Sequence, residues 1–113
     1  MTFVGEACLI IENAEAAIDL AFNSLRSHCV SQSRRGLDYA FDFGAARALV
    51  RPEPRVLWLR VEADDFTICH GTKMLIQSKI RVYAKAMPMN VLWLDATAEP
   101  FGTIMALENV EDQ

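Results

Sequence analysis

RVLWLRVEADDFTICHGTKMLIQSKIRVYAKAMPMNVLW, residues Arg55 to Trp93, is the stretch whose reading decides the fold. It opens with Val56-Leu57-Trp58-Leu59-Arg60-Val61, in which Leu57, Leu59 and Val61 share one face and Val56, Trp58 and Arg60 the other, because side chains of an extended chain alternate. Apolar groups on both sides mark a central strand. A helix follows from about Asp64 to Lys85: Asp64 or Asp65 supplies the N-cap, and Ile68, Thr72, Leu75, Ile76, Ile80 and Tyr83 form the buried stripe. Pro88 forbids its continuation. Gly71 lies inside the helical pattern, where it costs ~1 kcal/mol relative to alanine, and is expected to mark close packing. Val91-Leu92-Trp93-Leu94 then repeats the Val-Leu-Trp-Leu run as a second strand.

Working outward toward the N-terminus, Arg51-Pro52-Glu53-Pro54 reads as a turn whose prolines forbid regular pairing. Ala45 to Val50 is a short return strand, and Gly44 the break before it. Leu37, Tyr39, Phe41 and Phe43 alternate with polar or small residues as a half-buried strand does, while Val30 to Gly36 is a polar connection grading into it. Ala14, Ala17, Ile18, Ala21, Phe22, Leu25 and Cys29 recur at helical spacing after Asn13, a good N-cap. Glu12 and Glu15 near the start, with Arg26 and His28 near the end, suit the helix dipole. Phe3 to Glu12 is the first strand.

Two amphipathic helices pack most simply side by side on one face of a sheet. The prediction is an α+β two-layer sandwich in the order β-α-β-β-β-α-β, with a largely antiparallel sheet of about five strands. Residues 1–96 form this domain. Residues 97–113 form a C-terminal extension, with an apolar patch at Phe101, Ile104, Met105 and Leu107 and an acidic end whose last residues fray.

A chain of 113 residues is the size of one domain. Its 52% hydrophobic content is hard to hide in so small a monomer. The formal charge of −4 argues against a surface that tracks phosphates, and Lys73, Lys79, Arg81 and Lys85 read as a solvated helix face. No apolar run approaches the ~20 residues of a membrane span. Three cysteines without a framework spacing, and no charged-then-apolar leader, predict a reduced cytoplasmic protein.

His28-Cys29 and Cys69-His70 carry the residue types that zinc and iron prefer. Neighbours on a helix point about 100° apart, so neither dipeptide presents both ligands together. The prediction is no metal site, with the cysteines in the core. Ser31 and Ser33 near His28 lack an orienting group for nucleophilic chemistry, no phosphate-binding glycine loop occurs, and no catalytic residue is assigned.

The open question is the helix-free face of the sheet. Large apolar groups without a second helix layer usually mark an interface or ligand groove. The expectations are a homodimer, or a cleft for a small apolar ligand or iron chelate lined by Trp58, Tyr83 and Trp93. The alternative is that the C-terminal arm folds over this face.

Residues 6–93 resemble a bacterial family known as domain of unknown function 2218. Leu25-Arg26-Ser27-His28 is similar to that family's Leu-x-x-His, Phe41-Asp42-Phe43-Gly44 to its Phe-x-Phe-Gly, and Glu62-Ala63-Asp64 to its Glu-Ala-x-Asp. Ile80-Arg81-Val82-Tyr83-Ala84 and Met89-Asn90-Val91-Leu92-Trp93 resemble its closing motifs. Lys79, Val82 and Ala86-Met87 stand where the family has a histidine, an arginine and an Arg-Glu pair, so roles built on those polar groups do not carry over. The family has no established activity. Its members often lie beside siderophore-interacting flavin reductases, so the resemblance implies an accessory protein linked to iron or siderophore metabolism.

Overall fold

A computed structural model describes residues 1–102, 104 and 105. The chain runs β1 (Phe3–Ile10), α1 (Ala14–Ser24), a 3-10 turn (Arg26–His28), β2 (Ser31–Arg35), β3 (Asp38–Asp42), β4 (Ala46–Glu53), β5 (Val56–Ala63), α2 (Phe66–Tyr83) and β6 (Leu94–Asp95). The strands form one sheet in the order β2-β3-β4-β5-β1-β6, with every neighbouring pair antiparallel. This is the predicted α+β two-layer arrangement with one strand more than the sequence suggested.

β5 is central, paired along its whole length with β4 (Glu53↔Val56 to Ala46↔Ala63) and with β1 (Ile10↔Val56 to Phe3↔Ala63). Leu57, Leu59 and Val61 face the helices and are fully buried with Leu9, Ile11, Ile18, Phe41, Val50, Ile76 and Ile80. Trp58 and Arg60 face the opposite way and are buried too. Both surfaces of β5 are therefore covered.

The extra strand, β2, falls in the segment read as a polar connection. Four of its five residues are exposed, so its side chains carry no burial pattern to read. β4 also continues through Arg51 and Pro52, where a turn was expected, and Pro52 faces Leu57. A two-residue turn, Pro54-Arg55, connects it to β5, with Arg55 at φ 65°. In such a hairpin the pair flanking the turn is hydrogen-bonded and the next one is not. Pro52 occupies that second pair, so its missing N–H points away from β5, beyond the end of β3. The last strand is only Leu94–Asp95, paired with Glu6 and Gly5, rather than Val91 to Leu94.

α1 buries Ala14, Ala17, Ile18 and Ala21, with Leu25 just beyond its end, and then tightens into the 3-10 turn, leaving Cys29 extended and half-buried. The Asn13 carbonyl begins the helix by accepting from the Ala17 N–H at 2.9 Å. The Asn13 side chain makes no N-cap bond. Its amide donates to the Tyr83 carbonyl at 2.9 Å, and its oxygen accepts from the Lys85 N–H at 2.8 Å. One residue thus starts α1 and closes the end of α2, satisfying groups a helix end leaves unpaired.

Asp65 caps α2, accepting from the Ile68 N–H at 2.9 Å. The buried stripe of α2 is Cys69, Thr72, Ile76 and Ile80, flanked by half-buried Leu75 and Tyr83, while Ile68 is exposed. Gly71 is not at a close contact: a Cβ there would meet nothing within 4 Å. Gly71→Ala therefore gains helix propensity without a clash, and should raise stability by ~1 kcal/mol in urea melts.

Tyr39 in β3 is buried, with Phe22 packed edge-on at 5.2 Å and the Arg34 guanidinium 3.8 Å from its ring centroid. Its hydroxyl donates to Asp19 of α1. Burial, then the hydrogen bond to Asp19, pushes its pKa up to about 12. A raised folded-state value means that stability is fully present below the ordinary tyrosine range, ~10, and is lost as pH rises through about 12. Tyr39→Phe should flatten that alkaline fall in melts taken across this window.

Candidate functional site on the outer sheet face

The face turned away from the helices carries a charged pair inside apolar strands. Glu6 of β1 and Arg60 of β5 are directly opposite in register, 2.8 Å apart, with side chains 1% and 7% exposed. Two charges withdrawn from water need further hydrogen bonds to offset their lost hydration. These come from the main chain of the C-terminal segment. Arg60 Nη1 donates to the Thr97 carbonyl at 2.9 Å and Nη2 to the Ala98 carbonyl at 3.3 Å. Glu6 Oε2 accepts from the Phe101 N–H at 2.6 Å. The ion pair is a clamp on polypeptide backbone.

Glu99 to Gly102 forms a turn closed by the Gly102 N–H on the Glu99 carbonyl at 3.3 Å, with Phe101 at φ 62°. Pro100 followed by a left-handed residue is the pattern of a type II turn, whose third position favours glycine. Phe101 holds that conformation because its N–H is fixed by Glu6 and its ring is buried with Trp58 and Ile104. Cys8, Leu49, Val56, Leu94 and Met105 pack around this cluster. The Arg51 guanidinium stands 5.0 Å from the Phe101 ring centroid. Asp38 grips that guanidinium with both carboxylate oxygens, at 2.6 and 2.9 Å, and this hydrogen bonding raises the Arg51 pKa further.

Among the described residues, Phe101, Ile104 and Met105 therefore cover the apolar part of the outer face, the arm foreseen as the alternative to a second subunit. The acidic end, Leu107 and the frayed tip predicted for it lie outside the described residues. Two buried polar atoms on this face have no hydrogen-bond partner among the described residues: Glu6 Oε1 and Trp58 Nε1.

Beside the segment, over β2 to β5, lies an open cleft of about 470 Å³. Ser31, Ser33, Arg35, Asp42, Arg47 and Glu62 edge it, and Ala40, Leu49 and Pro100 supply apolar surface. Arg47 reaches Glu62 only loosely, at 3.7 Å, and is 73% exposed. Arg35 makes no hydrogen bond or ion pair among the described residues.

The aromatic trio expected to line one pocket is not brought together. Trp58 lies on the outer face beneath Phe101, whereas Trp93 and Tyr83 pack against the core on the helix side. The Trp93 indole N–H donates to Gln77 of α2 at 2.9 Å, and the Lys73 ammonium lies 5.6 Å from its ring centroid. Tyr83 ends α2, its carbonyl taken by Asn13.

Nor do the histidines and cysteines converge. His28 and His70 are exposed, and Cys69 is buried under α2 with its sulfur 3.7 Å from the Phe3 carbonyl. Burial raises the pKa of the Cys69 thiol, with Lys73 pulling it down more weakly, and burial followed by Asp42 raises that of Cys29. A hollow of about 220 Å³ carries Cys69, His70, Lys73 and Asp95 on its wall, but a thiol held in its protonated form there is a poor nucleophile. Among the described residues no three histidines, cysteines or carboxylates are grouped to hold a metal ion. No helix among them is long and apolar enough to cross a membrane.

Glu6 and Arg60 were the residues most easily passed over. The signal was present: a glutamate inside Val4-Gly5-Glu6-Ala7-Cys8-Leu9 and an arginine inside Leu57-Trp58-Leu59-Arg60-Val61 are charges in strands otherwise built for burial. Neither a protein-family model nor a curated protein matches this chain.

Proposed function

We propose that the chain is an accessory binding protein whose outer sheet face takes a small carboxylate-bearing ligand in the cleft beside residues 97–101. The observation that carries this reading is the pair of available guanidinium groups. Arg35 and Arg47 edge the same cleft as the hydroxyls of Ser31 and Ser33, and neither is committed to a close partner. Guanidinium forks match carboxylates in two-point geometry, and such charge-assisted bonds are about twice as strong as neutral ones. Leu49 and Pro100 offer the apolar contact that small-molecule sites combine with a few polar groups. The resemblance of residues 6–93 to the 2218 family supports a ferric chelate as the ligand, since many such chelates are polycarboxylate anions.

The test is titration calorimetry of the full chain with citrate and with ferric citrate. The expected result is binding that weakens at least about tenfold, ~1.4 kcal/mol, in the Arg35→Glu/Arg47→Glu variant. Both residues are exposed, so the fold should tolerate the change. Affinity equal in the two proteins, or no heat from either ligand at millimolar concentration, removes the proposal.

A further inference from the structure

We infer that the groove beneath residues 97–101 is a recognition site for a proline–aromatic turn in a partner protein, occupied in this chain by its own Glu99-Pro100-Phe101-Gly102. The reasoning starts from what the groove reads. Arg60 and Glu6 direct their hydrogen bonds at two carbonyls and one N–H of the main chain, groups any peptide carries. The one side chain of that turn fully enclosed is the Phe101 ring, set against Trp58 and Arg51. A rigid backbone clamp plus one aromatic pocket is the usual division of labour in peptide recognition, main chain for affinity and a pocket for choice.

The resident segment also fits incompletely. Glu6 Oε1 and Trp58 Nε1, an acceptor and a donor, are buried on this same face without partners among the described residues. Glu6 pairs with Arg60 and Cys8 with Trp58, which makes Glu6 and Trp58 diagonal neighbours. A hydroxyl or carboxamide side chain carries both a donor and an acceptor, and could answer the two atoms that the resident turn leaves unmatched. Phe101 further holds the left-handed conformation at φ 62°, which an aromatic residue seldom adopts. A partner with the same turn and a hydroxyl or carboxamide beside it would displace the resident segment. The anion reading is separate: no hydrogen bond or ion pair joins Arg35 or Arg47 to this turn among the described residues, and the peptide test below leaves both arginines in place.

The probe is a fluorescein-labelled synthetic peptide of residues 96–102, ATAEPFG, followed by fluorescence anisotropy. Full-length Phe101→Ala, whose own turn has lost its anchor, should bind the peptide at least about tenfold tighter than the wild-type chain does. The same peptide carrying Phe101→Ala should bind at least about tenfold more weakly. A folded Phe101→Ala chain that ignores the peptide, or binds both peptides alike, overturns the inference. If that variant does not fold, nitrogen-15 NMR of the wild-type chain decides: in peptide excess the Phe101 amide resonance should move as its own turn is displaced, and an unmoved resonance overturns the inference. A wild-type dimer in light scattering that Phe101→Ala converts to monomer would give the groove to a second copy's turn and overturn the separate partner.

Discussion

Arg60→Met should lower the unfolding free energy by about 3–5 kcal/mol, the range seen when one member of a buried ion pair is removed. In a domain of this size that shifts the melting temperature by about 15 °C. The reason is what stays behind. Glu6 is 1% exposed, so its carboxylate would be left buried with the Phe101 N–H as its remaining partner. The carbonyls of Thr97 and Ala98 would lose their donors as well, but both residues are exposed and can turn to water. Glu6→Leu/Arg60→Met should therefore be far more stable than the sum of the single changes implies. Urea unfolding of the two singles and the double gives the coupling directly. Additive losses would mean that Glu6 and Arg60 do not act as a unit.

The two tryptophans should respond very differently to truncation. Trp58→Ala is expected to cost about 3–5 kcal/mol, as for other buried aromatics cut to alanine, because Trp58 sits between β5 and the Phe101 ring and is 7% exposed. Trp93→Ala should cost less than half as much: its ring is half-buried at the flank of α2 and its N–H bond to Gln77 is near solvent. Trp58→Phe supplies the control. The Trp58 N–H has no partner among the described residues, so phenylalanine gives up ring volume without breaking a hydrogen bond, and the loss should stay below about 1.5 kcal/mol. Equal losses for Trp58→Ala and Trp93→Ala in urea melts would contradict the burial described above.

What could be read from the sequence was what burial writes into it. β5, α2 and α1 announce themselves because each has a face, or two, in the core, and the period of the apolar residues follows. β2 stayed hidden because its side chains are mostly exposed and need no pattern. Pro52 misled because a proline's effect on pairing depends on which way its N–H would point, a property of register and not of composition. Asn13 was placed correctly at the start of α1, but its side chain answers to Tyr83 and Lys85, far along the chain, where no local rule reaches. The repeated Val-Leu-Trp-Leu run is the sharpest case. The first copy is a central strand, while the second contributes only Leu94 to the sheet. The two tryptophans consequently end on opposite sides, and a shared aromatic pocket cannot form. The candidate site itself was half legible: the helix-free face was foreseen and its covering arm only as the alternative to a dimer or a ligand cleft, while the Glu6–Arg60 clamp that fastens the arm was not.

The sheet order carries a consequence for how the molecule assembles. β2, β3, β4 and β5 are neighbours both in sequence and in space, so each can zip onto the one before it through a short connection. β1, made first, has its two neighbours in β5 and β6 and must wait for most of the polypeptide to emerge. Closing long loops is slow compared with local pairing. Contact order therefore predicts that the N-terminal strand docks after the β2–β5 meander. Until it does, Glu6 stays in water, leaving Arg60 without its carboxylate and the Phe101 N–H without its acceptor.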